Sequence, residues 1–123
     1  VMQPIDKVAV VDSNDDLRNT VIKMTEKPQG AALVLNDEKI LMGIITEGDL
    51  RRSLANEIDI DNSKANEVMS TNPIAIKVNS SLSEVISLME DRESQISVLP
   101  VIDQSNICLG LIRIHDIYQT QLL

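Results

Sequence analysis

The sequence predicts an α+β fold made from one β-α-β-β-α unit used twice, and three observations lead there. Short segments recur in the same order. Val1-Met2 returns as Val68-Met69, Leu17 and Met24 return with the same spacing as Leu82 and Met89, and Leu41-Met42-Gly43-Ile44-Ile45 returns as Cys108-Leu109-Gly110-Leu111-Ile112. Asp49 follows Gly43 by six residues, as Asp116 follows Gly110. Within each copy, β-branched runs alternate with apolar residues at helical spacing. A lone unit of about 60 residues buries too little surface to be stable by itself, so two such units in 123 residues must share a core.

The elements follow in order. In the first unit, Val8 to Val11 is a short β-branched run. Asp12 and Ser13 are the helix N-cap candidates, with Asp15 and Asp16 in the first turn. Leu17, Val21 and Met24 form the apolar stripe of that helix until Pro28-Gln29-Gly30 stops it. Ala31 to Leu35 and Ile40 to Thr46 read as strands around the turn Asn36-Asp37-Glu38-Lys39, and a second helix runs from about Gly48 to Asn56. In the second unit, Ser81-x-x-Glu84 is a capping-box pattern ahead of Leu82, Val85, Ile86 and Met89, an i, i+3, i+4, i+7 face. Strands Ile96 to Ile102 and Ile107 to Ile114 flank Asp103-Gln104-Ser105-Asn106, and the last helix spans Asp116 to Leu122. The units are thus residues 1–56 and 66–123. Residues 57–65 are an acidic linker whose Asp59-x-Asp61 lacks the glycine and distal glutamate of a calcium loop.

Composition excludes several function classes. The chain carries a formal charge of −8, no Trp or Phe and one Tyr, which argues against phosphate-backbone binding, base stacking on aromatics and anionic membrane surfaces. The single cysteine, Cys108, lies in an apolar run and reads as a small buried hydrophobe in a reducing compartment. No apolar stretch approaches the roughly 18 residues of a membrane span, and no signal-peptide pattern opens the chain, so a cytoplasmic protein is expected. Because it starts at Val1, the chain also reads as a piece of something longer. With one histidine, His115, neither a two-histidine metal helix nor a Cys/His zinc cluster can form, so no metal site is expected. The chain also lacks GxGxxG, a Walker loop and G-x-S-x-G, and no catalytic residue or catalytic cofactor is expected.

What stands out is Gly43-Ile44-Ile45-Thr46-Glu47-Gly48-Asp49-Leu50-Arg51-Arg52. A strand ending in Thr46 turns into a helix beginning near Asp49, so a hydroxyl and a carboxylate project from one corner. That suits a sugar diol, with the helix N-terminus and Arg51 or Arg52 favouring a phosphate. The plainer reading is that Thr46 and Asp49 only cap the helix.

The double unit, the G-x-x-T-x-x-D corner, Asn72-Pro73-Ile74-Ala75-Ile76 and Leu99-Pro100-Val101-Ile102-Asp103 resemble a tandem pair of cystathionine-β-synthase (CBS) domains across the whole chain. The corner, with Met69-Ser70-Thr71-Asn72-Pro73 and His115-Asp116, looks more narrowly like the C-terminal CBS pair of D-arabinose-5-phosphate isomerases. The resemblance implies tandem repeats related by a pseudo-twofold axis, with two small three-stranded sheets flanked by helices. It implies a nucleotide or nucleotide-sugar ligand, AMP, ATP or a CMP-sugar, that regulates an attached N-terminal sugar-isomerase domain of lipopolysaccharide sugar synthesis. Carried over, the first cleft would use Thr46 and Asp49 for ribose, Ile44 and Ile96 as apolar walls, Thr71, Pro73 and Ser97 at the rim, and Arg52 beside the phosphate. The pseudo-symmetric cleft would use Asp116 with Pro4, Ile5, Gln29 and Gly30, but Arg113 stands in the place of Thr46 and puts that cleft in doubt. The family's homodimer through its helices is expected too, since the faces Leu17 to Met24 and Leu82 to Met89 exceed what one small chain can cover. The competing reading is a structural dimerisation module with vestigial clefts.

Overall fold

The computed structural model describes residues 2–90 and 97–121. The start of a strand at Ile96, the end of the last helix at Leu122 and Val1 of the repeated pair lie outside the described residues. The first unit contains β1 (Gln3–Pro4), a 3-10 turn (Ile5–Lys7), β2 (Ala9–Val11), α1 (Leu17–Glu26), β3 (Ala31–Leu35), β4 (Leu41–Thr46) and α2 (Glu47–Ala55). A short helix α3 (Ala65–Val68) precedes β5 (Ser70–Thr71), β6 (Ile76–Lys77), α4 (Leu82–Glu90), β7 (Val98–Ile102), β8 (Cys108–Arg113) and α5 (Ile114–Gln121).

Among the described residues each sheet has four strands, not the three expected. Their orders are β2-β3-β4-β5 and β1-β8-β7-β6. The extra strand in each is the opening dipeptide of the other unit: β5 runs antiparallel to β4, with Gly43 opposite Thr71, and β1 runs antiparallel to β8, with Pro4 opposite Gly110. A two-residue strand carries no periodicity, so only its non-local partner reveals it. The glycines make the crossing possible. A Cβ on Gly43 would lie 2.7 Å from Met69 Sδ and 2.9 Å from the Ser70 carbonyl, and one on Gly110 would lie 2.2 Å from the Gln3 carbonyl. A neighbouring backbone comes too close for any side chain.

The two β-hairpins meet where the repeat's symmetry brings them. Ile40 bridges Ile107, the Leu41 N–H donates to the Asn106 carbonyl at 3.3 Å, and the Cys108 N–H donates to the Lys39 carbonyl at 3.0 Å. Both turns are closed by a side chain at the same position. Asn36 Oδ1 accepts from the N–H groups of Glu38 and Ile40, and Asp103 Oδ1 accepts from those of Ser105 and Ile107.

Alternation along β3 divides the core. Ala31, Leu33 and Leu35 face Val98, Cys108 and Leu111 of the other unit, whereas Ala32 and Val34 face Leu17 and Met24 of α1. In the second unit, Leu99 and Val101 of β7 meet Val85 and Met89 of α4 and Ile117 of α5. Leu17, Met24, Val85 and Met89 are therefore buried within the chain. This corrects the argument that these faces need a second copy to cover them. The apolar side chains left exposed on helices are instead Ile22, Leu54, Leu82 and Tyr118.

Helix α1 begins later than its sequence signals indicate. Asp12 accepts the Asn14 N–H and donates its own N–H to Asp15, so these residues form a separate turn, and Asp16 becomes the N-cap, accepting the Asn19 N–H at 2.7 Å. The acidic segment after α2 packs down as well. Ile58 and Ile60 lie against the α1 core, the Ser63 carbonyl accepts the Leu17 N–H, and Arg18 pairs with Asp61. The Ser81 hydroxyl accepts the Glu84 N–H at 3.2 Å at the start of α4. Among the described residues no helix is long and apolar enough to cross a membrane.

Candidate functional site

The corner between β4 and α2 is tighter than the sequence indicates, because the helix starts at Glu47 with no intervening turn. Thr46 is its N-cap and Asp49 its third residue. The Thr46 hydroxyl accepts the Asp49 N–H at 3.2 Å, and Asp49 Oδ2 accepts the Thr46 N–H at 2.9 Å, a complete capping box. The plainer capping role is thus real. Among the described residues it leaves Asp49 Oδ1 to the Arg52 guanidinium at 2.7 Å, and the Arg52 side chain is 71% exposed.

Beside this corner lies an open cleft of about 660 Å³ between the two units. The first unit supplies Gly30, Ile44, Thr46, Gly48, Asp49, Arg51 and Arg52, and the second supplies Thr71, Asn72, Pro73, Ile74, Ser97, Val98 and Pro100. Of the residues singled out in the sequence, Ile44, Thr46, Asp49, Arg52, Thr71, Pro73 and Ser97 come together here. The crossing of β5 onto β4 brings Thr71 in, since it places Thr71 beside Gly43. Ile96, expected as an apolar wall, lies outside the described residues; Val98 and Pro100 of β7 supply that wall together with Ile44 and Ile74. The walls are aliphatic, so a flat base would be held by apolar contact without aromatic stacking.

Other residues fall elsewhere. Gly30, expected in the second cleft, lines the first, because Ala31 pairs with Thr46 across the sheet and the Gly30 carbonyl accepts the Glu47 N–H at 3.2 Å. Gln29 donates to the Lys7 carbonyl, Pro4 belongs to β1, and Ile5 packs against the core between the sheets. Asn72, part of two family motifs in the sequence but not assigned there to the cleft, also lines it. Its signal was the Asn-Pro dipeptide, which here accompanies a left-handed Asn72 with φ of 50° at the mouth of the cleft.

The second corner, at β8 and α5, has a different chemistry. Arg113 donates from Nε and a terminal nitrogen to the two oxygens of Asp116, at 2.9 and 2.7 Å, and the Gln3 amide donates to Asp116 Oδ2 at 3.1 Å. The Arg113 hydrogen bonds hold the Asp116 carboxyl below the usual carboxylate range against the opposing effect of burial, and Gln3 and His115 add to the depression. Arg113 and Asp116 therefore engage each other and do not reach the first cleft.

Comparisons with known proteins agree with the two-unit fold. The family model for the CBS domain matches residues 1–56 and again 65–122. The chain is 30% identical over 122 residues to the arabinose 5-phosphate isomerase KdsD of Francisella tularensis, covering 99% of this chain and 36% of that protein. It spans about a third of the length of the curated relatives it matches. Among solved structures it superposes with a TM-score of 0.82 on CBSX2, a CBS-pair protein from Arabidopsis thaliana, in complex with AMP, at 18% identity, covering 98% of this chain and 92% of that one. It superposes with a TM-score of 0.79 on the cytosolic domain of the Mg2+ channel MgtE in complex with ATP, at 18% identity, covering 98% and 46%.

Proposed function

Because the chain belongs to the CBS-domain family, with one copy of the domain in each half, we propose that it is a regulatory sensing module that binds a nucleotide or nucleotide-sugar and controls an attached enzyme. The observation that carries this reading is the cleft between the units. It is lined by Asp49, whose Oδ1 accepts from the exposed Arg52, by the polar side chains of Thr71 and Ser97 and by aliphatic residues. Such a carboxylate can accept hydrogen bonds from a ribose diol while Arg51 and Arg52 face a phosphate. The AMP and ATP complexes of CBSX2 and of the MgtE cytosolic domain support the ligand class. The likeness to KdsD supports a sugar-phosphate isomerase as the attached enzyme, and we propose a cytoplasmic protein that associates as a homodimer. A CMP-sugar, as an activated end product, joins AMP and ATP as a candidate effector.

A thermal-shift screen against these three ligands tests the reading. A ligand at about 100 times its Kd adds roughly 2.7 kcal/mol of stability. The shift should appear with at least one of them and be lost in Asp49→Ala. Failure of all three to move the wild-type Tm would leave a structural module with unused clefts.

A further inference from the structure

We propose that the second corner is a lock satisfied by the chain's own arginine, so that the molecule carries one nucleotide site per chain, in the first cleft. The stoichiometry rests on the function proposed above; the lock does not. Each corner presents an aspartate at the third position of a helix, and each aspartate has an arginine three residues away, but on opposite sides. Arg52 follows Asp49, whereas Arg113 precedes Asp116 and stands where the first corner has Thr46.

The two ion pairs differ in kind. Arg52 touches Asp49 through one nitrogen and is 71% exposed, so water or an incoming hydroxyl can replace it. Arg113 holds both oxygens of Asp116, and the two side chains are only 26% and 13% exposed. A diol approaching Asp116 would have to displace two charged N–H donors and offer two neutral ones in return, losing the stronger bonds. It would also leave a partly buried guanidinium without its partner. Gln3 adds a third donor from β1, which pairs with β8 through Leu111. The lock thus ties the opening strand of the chain to the helix of the other unit. In the first cleft the corresponding join between β5 and β4 stays open to solvent.

Two measurements decide the proposal. The first needs no ligand: thermal unfolding of Arg113→Ala, Asp116→Ala and the double variant. Each single change is expected to lower Tm by roughly 3 to 8 °C, and the double variant by no more than the worse single. Additive losses would overturn the lock. The second is calorimetry with AMP. One equivalent per chain is expected for the wild type, with affinity lowered more than tenfold in Asp49→Ala and kept in Asp116→Ala. Arg113→Thr, which restores the residue of the first corner, is expected to bind a second equivalent. Two equivalents on the wild type, loss of binding in Asp116→Ala, or a single equivalent in Arg113→Thr would each overturn the proposal. If the wild type binds none of AMP, ATP and the CMP-sugar, that outcome counts against the sensing function, and the unfolding cycle still decides the lock.

Discussion

A carboxylate three residues into a helix can cap, bind or lock, and here the residue before the helix decides which. Beside Asp49 that residue is Thr46, whose hydroxyl takes the Asp49 N–H and leaves one carboxylate oxygen within reach of the cleft. Beside Asp116 the equivalent place holds Arg113, and both oxygens are consumed. The depressed carboxyl of Asp116 gives the second case a pH signature. A group whose folded-state pKa lies below its unfolded value contributes stability above the unfolded pKa, about 3.9 for aspartate, and loses it as pH falls through the folded value. Asp116→Asn should therefore be less stable than wild type by roughly 1 to 3 kcal/mol near pH 7. The gap should close as pH falls below about 4. Chemical denaturation at a series of pH values checks this, and a gap that stays constant from neutral to acidic pH would contradict it. The residue pattern was legible in the sequence down to the substitution of arginine for threonine. Which of binding, capping or locking it produced needed distances.

At the scale of elements, the decisive features are the two dipeptide strands that cross between units. Each crosses over a glycine, but the clearances differ. The nearest backbone atom to a new Cβ is 2.9 Å away at Gly43 and 2.2 Å at Gly110, and at Gly43 the closest contact of all is the movable end of Met69. Gly110→Ala should then cost more than Gly43→Ala, on the order of 1 to 3 kcal/mol for the former, by pushing β1 off β8. Urea midpoints of the two variants measure it, and a Gly110→Ala protein as stable as wild type would show that β1 is not held as described. The glycines themselves were legible, since each sits at the same place in a repeated buried strand. Their partners were not, because Gln3–Pro4 and Ser70–Thr71 are too short to show an alternation, and their pairing spans about half a unit in one case and most of the chain in the other. The N-cap of α1 went astray for a local reason: all five residues from Asp12 to Asp16 favour caps and turns, and Asp12 closed its own turn instead.

At the scale of the whole molecule, the question is what covers the helices. Leu17, Met24, Val85 and Met89 of the stripes expected to need a partner are already buried within the chain, yet Leu82 of the same α4 stripe stays exposed, as do Ile22, Leu54 and Tyr118 on α1, α2 and α5. Apolar side chains on four helices of so small a chain favour self-association through those helices. Sedimentation at micromolar concentration should give a species of about twice the 13.6 kDa chain mass. Leu54→Glu should shift it toward the monomer. A wild type that sediments only as a 13.6 kDa species would rule this association out.

The sequence by itself determined the tandem architecture, the aliphatic core and the position of the Thr46–Asp49 corner. Repetition, two-residue and helical periodicities, and cap residues are local patterns that a single chain displays in order. Tertiary structure alone decided that each sheet borrows a strand from the other unit, that Gly30 belongs to the first cleft, and that Leu17, Met24, Val85 and Met89 are covered within the chain. These outcomes depend on contacts between residues far apart in the chain, where distance and burial are set by how the two units close on each other and no spacing along the sequence records them.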